Sequence, residues 1–308
     1  MSRETEKVMK AAQEFLEKNA NSQMSEKELN DLMSKFVNQY NSDIPGKITK
    51  DNASTADDYI ILAEDAMYED KASVAFNYAS KALKLEPDNL DAERLMIESG
   101  ADGFRNYLKK LERAVKHGDE VMKKEGYMDE DSIGNFWGIL ETRPYMRLRH
   151  SYMDTLYNGG MLKKAMHECE ELIRLNENDN LGARYILMHL YVLFEDEEKA
   201  IDLHKKYDEY DETQMLLPLS VLYFKQGDWD KAEKYLARLI KVNKDTKKFI
   251  RAVIEDDLDR YSDQMSDFGY RLFSMEELVM EYIDNSVLFG TVPGFFIWAD
   301  ELNRKKKK

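Results

Sequence analysis

The 308-residue chain is poor in the residues that punctuate a fold: 14 Gly and 5 Pro amount to about six per hundred, roughly half of average usage. Sandwiches and barrels need turn residues at short, regular intervals, so this scarcity excludes them and predicts a mostly helical chain. A single cysteine, Cys169, excludes a disulfide framework and fits a reducing compartment. No apolar run approaches the ~18 residues of a membrane span. The start MSRETEKVMK also lacks the apolar core of a signal peptide, so a cytoplasmic protein is expected. Walker loop, nucleophile elbow, HExxH and dinucleotide fingerprint are all missing, which removes every specific reason to propose an enzyme. No cofactor and no metal site are expected either. His167 and Cys169, two apart on a predicted helix, point to different faces, and His167 with Glu171 makes only two ligands. Cys169 itself reads as a small core hydrophobe. The acidic run EDDLDRYSDQMSD (255–267) lacks the turn glycine of a calcium loop.

What is present is apolar material for a core, 43% of residues, and an acidic excess of 60 Asp and Glu over 45 Lys and Arg. Five of those 45 bases are the terminal Arg304–Lys308, so residues 1–303 carry −20 against −15 for the whole. Such a body repels nucleic acid, which argues against a nucleic-acid partner. The RKKKK end (304–308) reads as a solubilising tail, with binding to an anionic membrane surface or to nucleic acid as its alternative.

Periodicity supplies the organisation. Met9, Ala12 and Leu16, then Leu29, Leu32, Met33, Phe36 and Val37, predict an N-terminal helical hairpin over 1–40, with Ser25 and Glu28 forming the capping pattern of its second helix. NSDIPGKITKDNAS, with Pro45 and Gly46, reads as a linker over 41–54. Beyond it Tyr59, Leu62, Ala63, Ala66, Ala75, Ala79, Ala82 and Pro87 fall on the spacing of the 34-residue tetratricopeptide pattern, in which small residues let two antiparallel helices approach and larger ones wedge between pairs. The skeleton recurs at Tyr152, Met153, Leu156, Gly160, Ala165 and Cys169, at Leu187, Met188, Tyr191 and Ala200, and at Leu219, Ser220, Tyr223, Gly227, Ala232 and Leu236. The boundary sequences LEPDNLDA (85–92) and LNENDNLGA (175–183) repeat a helix stop followed by a new cap. Between the first two copies Ala92–Ile97 begins another helix and Phe104–Lys124 forms one long amphipathic helix. An irregular acidic loop follows over 125–135.

The chain resembles the tetratricopeptide-repeat family. NFWGILETRPYMR (135–147), LNENDNLGARY (175–185) and the N-terminal AAQEFLEKN make it similar, more narrowly, to bacterial tetratricopeptide proteins related to the suppressor of tumorigenicity 7 family. The resemblance implies a helical repeat protein and brings no established reaction. Some members carry a cysteine-rich metal-binding tail, which one cysteine cannot supply. The expected fold is all-α: a right-handed tetratricopeptide-type helical-hairpin solenoid over 55–245, with the N-terminal helical hairpin before it and a helical C-terminal cap over 246–303.

In such an array the first helix of each pair lines the concave face, where extended peptides and helices dock. Away from the packed face, Arg143, Arg147, His150 and Asp154 share one helix, and Arg184, Tyr185 and His189 another, with Trp137 nearby. Arg supplies a planar fork for carboxylates and the aromatics supply rigid contact area. The sequence therefore nominates Arg143, Arg147, His150, Arg184, Tyr185 and His189 as a surface for an acidic or aromatic segment of a protein or peptide partner. The expected role is a non-enzymatic protein–protein interaction scaffold. A regulatory sensor or enzyme accessory subunit holding a small anionic ligand or peptide in the same groove is the alternative. Against both stands internal pairing, in which Glu141 takes Arg143 or Arg184, Trp137 fills the core and the groove holds nothing.

Overall fold

The computed structural model describes residues 3–21, 24–42, 48–262 and 270–305. Pro45, Gly46, residues 263–267 of the acidic run and Lys306–Lys308 of the basic tail lie outside the described residues. The described residues are all-α: seventeen helices, with isolated bridges at Gly134, Asn135 and Asn176 in place of any strand.

The chain divides into two compact units, Met1–Met161 with Arg174–Asn180, and Leu162–Ile173 with Leu181–Lys308. In the first, α1 (Arg3–Asn19) and α2 (Glu26–Ser42) form the N-terminal hairpin. The expected capping is present: the Ser25 backbone N–H donates to Glu28 at 2.8 Å and the Glu28 N–H donates back to the Ser25 hydroxyl at 3.4 Å. Next come α3 (Ala56–Tyr68), α4 (Ala72–Leu85), α5 (Leu90–Ser99), α6 (Phe104–Lys124) and α7 (Arg143–Asn158). Ala63, Ala66, Ala75, Ala79 and Ala82, the small residues of the first repeat, are all buried where α3 packs on α4, and α4 in turn packs on α5. Methyl-sized side chains there let the helix axes close up, as the spacing predicts.

Gly118 is a glycine the repeat pattern does not require. A Cβ placed on it would lie 2.7 Å from Cδ2 of Tyr145, so its bare backbone is what lets the fully buried Tyr145 ring of α7 lie against α6. The irregular loop expected over 125–135 continues to residue 142, and it is tied down. The N–H groups of Gly134 and Phe136 donate to the Leu175 carbonyl, each at 3.0 Å, and the Glu177 N–H donates to the Gly134 carbonyl at 2.8 Å. This fixes the strip that carries Trp137 and leads into α7.

The second unit comprises nearly all of α8 (Leu162–Leu175), then α9 (Ala183–Leu193), α10 (Glu197–Lys206), α11 (Thr213–Gln226), α12 (Trp229–Val242), α13 (Thr246–Glu255), α14 (Asp259–Ser262), α15 (Met275–Asp284), α16 (Ser286–Phe289) and α17 (Pro293–Lys305). Ala165, Cys169, Leu187, Met188, Ala200, Leu219, Ala232 and Leu236, the anchors of the later repeats, are buried throughout. Hairpin α9/α10 packs through α9 on α11, and α11 pairs with α12. Gly227 ends α11 at φ +76°, the left-handed conformation that glycine adopts without steric cost. After α12 the repeat stops, and an aromatic cluster of Phe249, Tyr282, Phe289, Phe295 and Phe296 closes this unit.

Candidate functional site

The six nominated residues divide equally between the two units, and each set is described where it stands. In the first unit α7 opens at Arg143, with a proline in its first turn where no N–H is needed. The Thr142 hydroxyl donates to the Phe136 carbonyl, folding the preceding strip back over the helix start. Arg143 and Arg147, four residues apart, then project side by side, with their guanidinium carbons 5.3 and 5.9 Å from the Trp137 ring centre.

Two carboxylates meet this pair. Arg147 holds Asp91 of α5 through a two-pronged contact, Nε to Oδ1 at 2.9 Å and NH2 to Oδ2 at 2.7 Å. Its remaining nitrogen reaches Glu6 Oε1 of α1 at 2.9 Å, and Arg143 donates to the same oxygen at 3.3 Å while its Nε donates to the Trp137 carbonyl at 2.8 Å. Glu6 is 5% exposed and Arg143 4%, so α1 covers this face. Arg94 of α5 also lies 3.8 Å from Asp91, and the bidentate Arg147–Asp91 geometry is the strong form of such pairing.

The rest of α1 continues the contact. Lys7 Nζ lies 2.5 Å from Oδ1 of Asp58, Lys10 lies 3.1 Å from Asp57, and the Gln13 amide donates to Glu141 at 3.1 Å. Burial raises the Asp58 carboxyl's pKa. The Lys7 ammonium and the backbone N–H groups of Ser54 and Thr55 outweigh it and hold the group well below the usual carboxylate range. Glu141, expected as the internal partner of an arginine, thus meets α1, and the acid on Arg143 is Glu6. Trp137, expected in the core, is half-buried and stacks on the two guanidinium groups. His150 stands on the same helix one turn on, its Nδ1 3.1 Å from Asp154, the neighbour the helical spacing places there.

In the second unit Arg184 lies between the rings of Tyr185 and Tyr207, its guanidinium carbon 4.3 and 4.9 Å from their centres, and donates to Glu212 at 3.3 Å. The nomination of His189 as a surface contact needs correction. His189 is 1% exposed, with Phe289 edge-on and Oε1 of Glu281 3.3 Å from its Nε2. Its physical reason is the end cap: α15 and α16 pack over the α9 face that an open repeat array would leave to solvent.

Sequence reasoning missed Glu6 and Asp91. Asp91 sits in the repeated boundary LEPDNLDA, where an acidic residue in the first helical turn is explained by the helix alone. Glu6 lies 137 residues before Arg143 with no pattern linking them. Among the described residues no group of three or more His, Cys, Asp or Glu is placed to hold a metal, and no helix is long and apolar enough to cross a membrane.

No family model and no curated protein matches the chain. Among solved structures the chain is similar to YrrB, described as a TPR protein with an unusual peptide-binding site, at 17% identity and a TM-score of 0.43, over 64% of this chain and 90% of that one. The helical-hairpin architecture rests on this chain's own buried repeat positions.

Proposed function

We propose that this protein is a non-enzymatic interaction scaffold whose α7 face, Arg143 and Arg147 over Trp137, receives an acidic segment of a partner protein. The observation that carries the reading is the seat of Glu6: a carboxylate delivered by a helix from elsewhere in the chain is held by both guanidinium groups beside an aromatic ring. Paired arginines with a rigid aromatic are the elements by which interfaces fix acidic anchors. The Arg184–Tyr185–Tyr207 stack offers a similar combination within the second unit. His150 takes part as a neighbouring polar group.

The test is affinity capture on the full chain and on Arg143→Lys/Arg147→Lys, which keeps both charges and loses the planar forks. Capture of acidic partners should fall at least tenfold, with helical circular dichroism unchanged. Undiminished capture by the double variant would remove this surface from the function.

A further inference from the structure

We propose that α1 is a replaceable occupant of the Arg143–Arg147 surface. It closes that surface in the isolated chain and yields it to a partner helix that presents the same charge pattern. This rests on the reading of the surface as an acceptor of acidic segments and adds both its regulation and a narrower definition of the partner.

The side chains that fasten α1 to the repeats are Glu6, Lys7, Lys10 and Gln13, which fall on one stripe of the helix at helical spacing. Their receivers change sign once along the surface: Arg143 and Arg147 for the acid, then Asp58 and Asp57 for the two bases, then the carboxylate of Glu141 for the amide. A helix is therefore recognised by an acidic residue followed by basic residues one and four positions later and an amide seven positions later. A purely acidic segment would satisfy the arginines and then meet Asp57 and Asp58 with like charge.

These four side-chain contacts are polar: Lys7 and Lys10 make part-exposed ion pairs, and the buried Glu6 contact is one that the carboxylate of another helix can replace. The aromatic contacts of the hairpin are internal to it: Phe15 of α1 meets Phe36 of α2 at 5.4 Å between ring centres, and Phe36 meets Tyr40 at 5.5 Å. Leaving the surface thus costs α1 its ion pairs while the Phe15–Phe36–Tyr40 contact stays intact. A partner supplying the same four side chains restores these contacts on the receiving side, including the carboxylate against the buried Arg143.

The experiment uses the full chain and a fluorescein-labelled peptide of residues 3–19 as the probe. Lys7→Gln/Lys10→Gln loosens α1 without altering the receiving face, and Glu6→Gln, which takes the charge away from both arginines, is the second variant. Gln13→Cys/Glu141→Cys, joined by a short thiol crosslinker, locks α1 in place; the native Cys169 is buried and does not compete. A surface closed in nine or more of ten molecules lowers apparent affinity at least tenfold. Both loosened variants should therefore bind the peptide more tightly than the parent, Lys7→Gln/Lys10→Gln by about tenfold or more, and the locked chain should not bind. Arg143→Lys/Arg147→Lys added to the loosened chain should abolish the gain. Equal, arginine-dependent binding by parent, loosened and locked chains would overturn the replaceable occupant and leave the acceptor surface standing. No binding by either loosened variant, with helical content retained, would overturn the acceptor reading itself. Loosened chains that pair into dimers through α1 would also overturn the closure in cis.

Discussion

At the scale of single residues the chain buries two titratable groups against each other in the second unit. The Nδ1 of His189 is 2.7 Å from the Tyr185 carbonyl, which can only accept, so Nδ1 carries the proton and Nε2 faces Glu281 bare. Burial pushes His189 down to about 4, outweighing the Tyr185 bond, and burial together with nearby Glu277 pushes Glu281 well above the ordinary carboxylate range. Near neutral pH His189 is therefore uncharged, and burial favours the protonated form of Glu281. The two act on stability in opposite directions. Below about pH 6.5 the unfolded imidazole takes up a proton the folded one refuses, so His189's contribution is full above that value and lost as pH falls toward 4. Glu281's contribution is full below about pH 4.5 and lost as pH rises through its raised folded value, because only the unfolded carboxyl ionises there. Glu281→Gln keeps a neutral donor for Nε2 and removes the second slope. Its melting temperature should exceed the parent's near pH 7 and converge with it near pH 4.5, the sign that a raised folded pKa dictates. A constant difference across that range would show that Glu281 is already ionised in the fold.

Elements were largely legible before their packing was known. The alanine spacing of α3 and α4 and the span Phe104–Lys124 of α6 follow from periodicity, which is a local property of the chain. The helical cap expected over 246–303 resolves into α13 to α17, with α16 and α17 separated at residues 290–292. Gly118 shows what local reading lacks: in the middle of α6 it weakens the helix by propensity alone, and its purpose is visible only against Tyr145. Gly118→Ala should improve helix propensity yet destabilise the protein by about 1–3 kcal/mol, because the buried ring has nowhere to retreat. Thermal melting checks the sign, and a variant more stable than the parent would mean that α6 and α7 can part without cost.

For the whole molecule, the sequence pointed to Arg143, Arg147 and Trp137 by asking where bases gather in an acidic chain, and those three do stand together. It could not see what faces them, because ion pairs between residues 56 and 141 positions apart leave no periodic trace. His189 was misplaced for a related reason. A repeat pattern marks the packed face of each helix and leaves the other face open, whereas here a non-repeating cap covers it.

The central claim is that α1 delivers Glu6 to the arginine pair of α7, and a double-mutant cycle on thermal or denaturant stability tests it most directly. Glu6→Gln, Arg147→Gln and the double variant should show a coupling of about 1 kcal/mol or more, as expected for a buried, hydrogen-bonded charge pair. Additivity within about 0.3 kcal/mol, the behaviour of sites that do not touch, would contradict it.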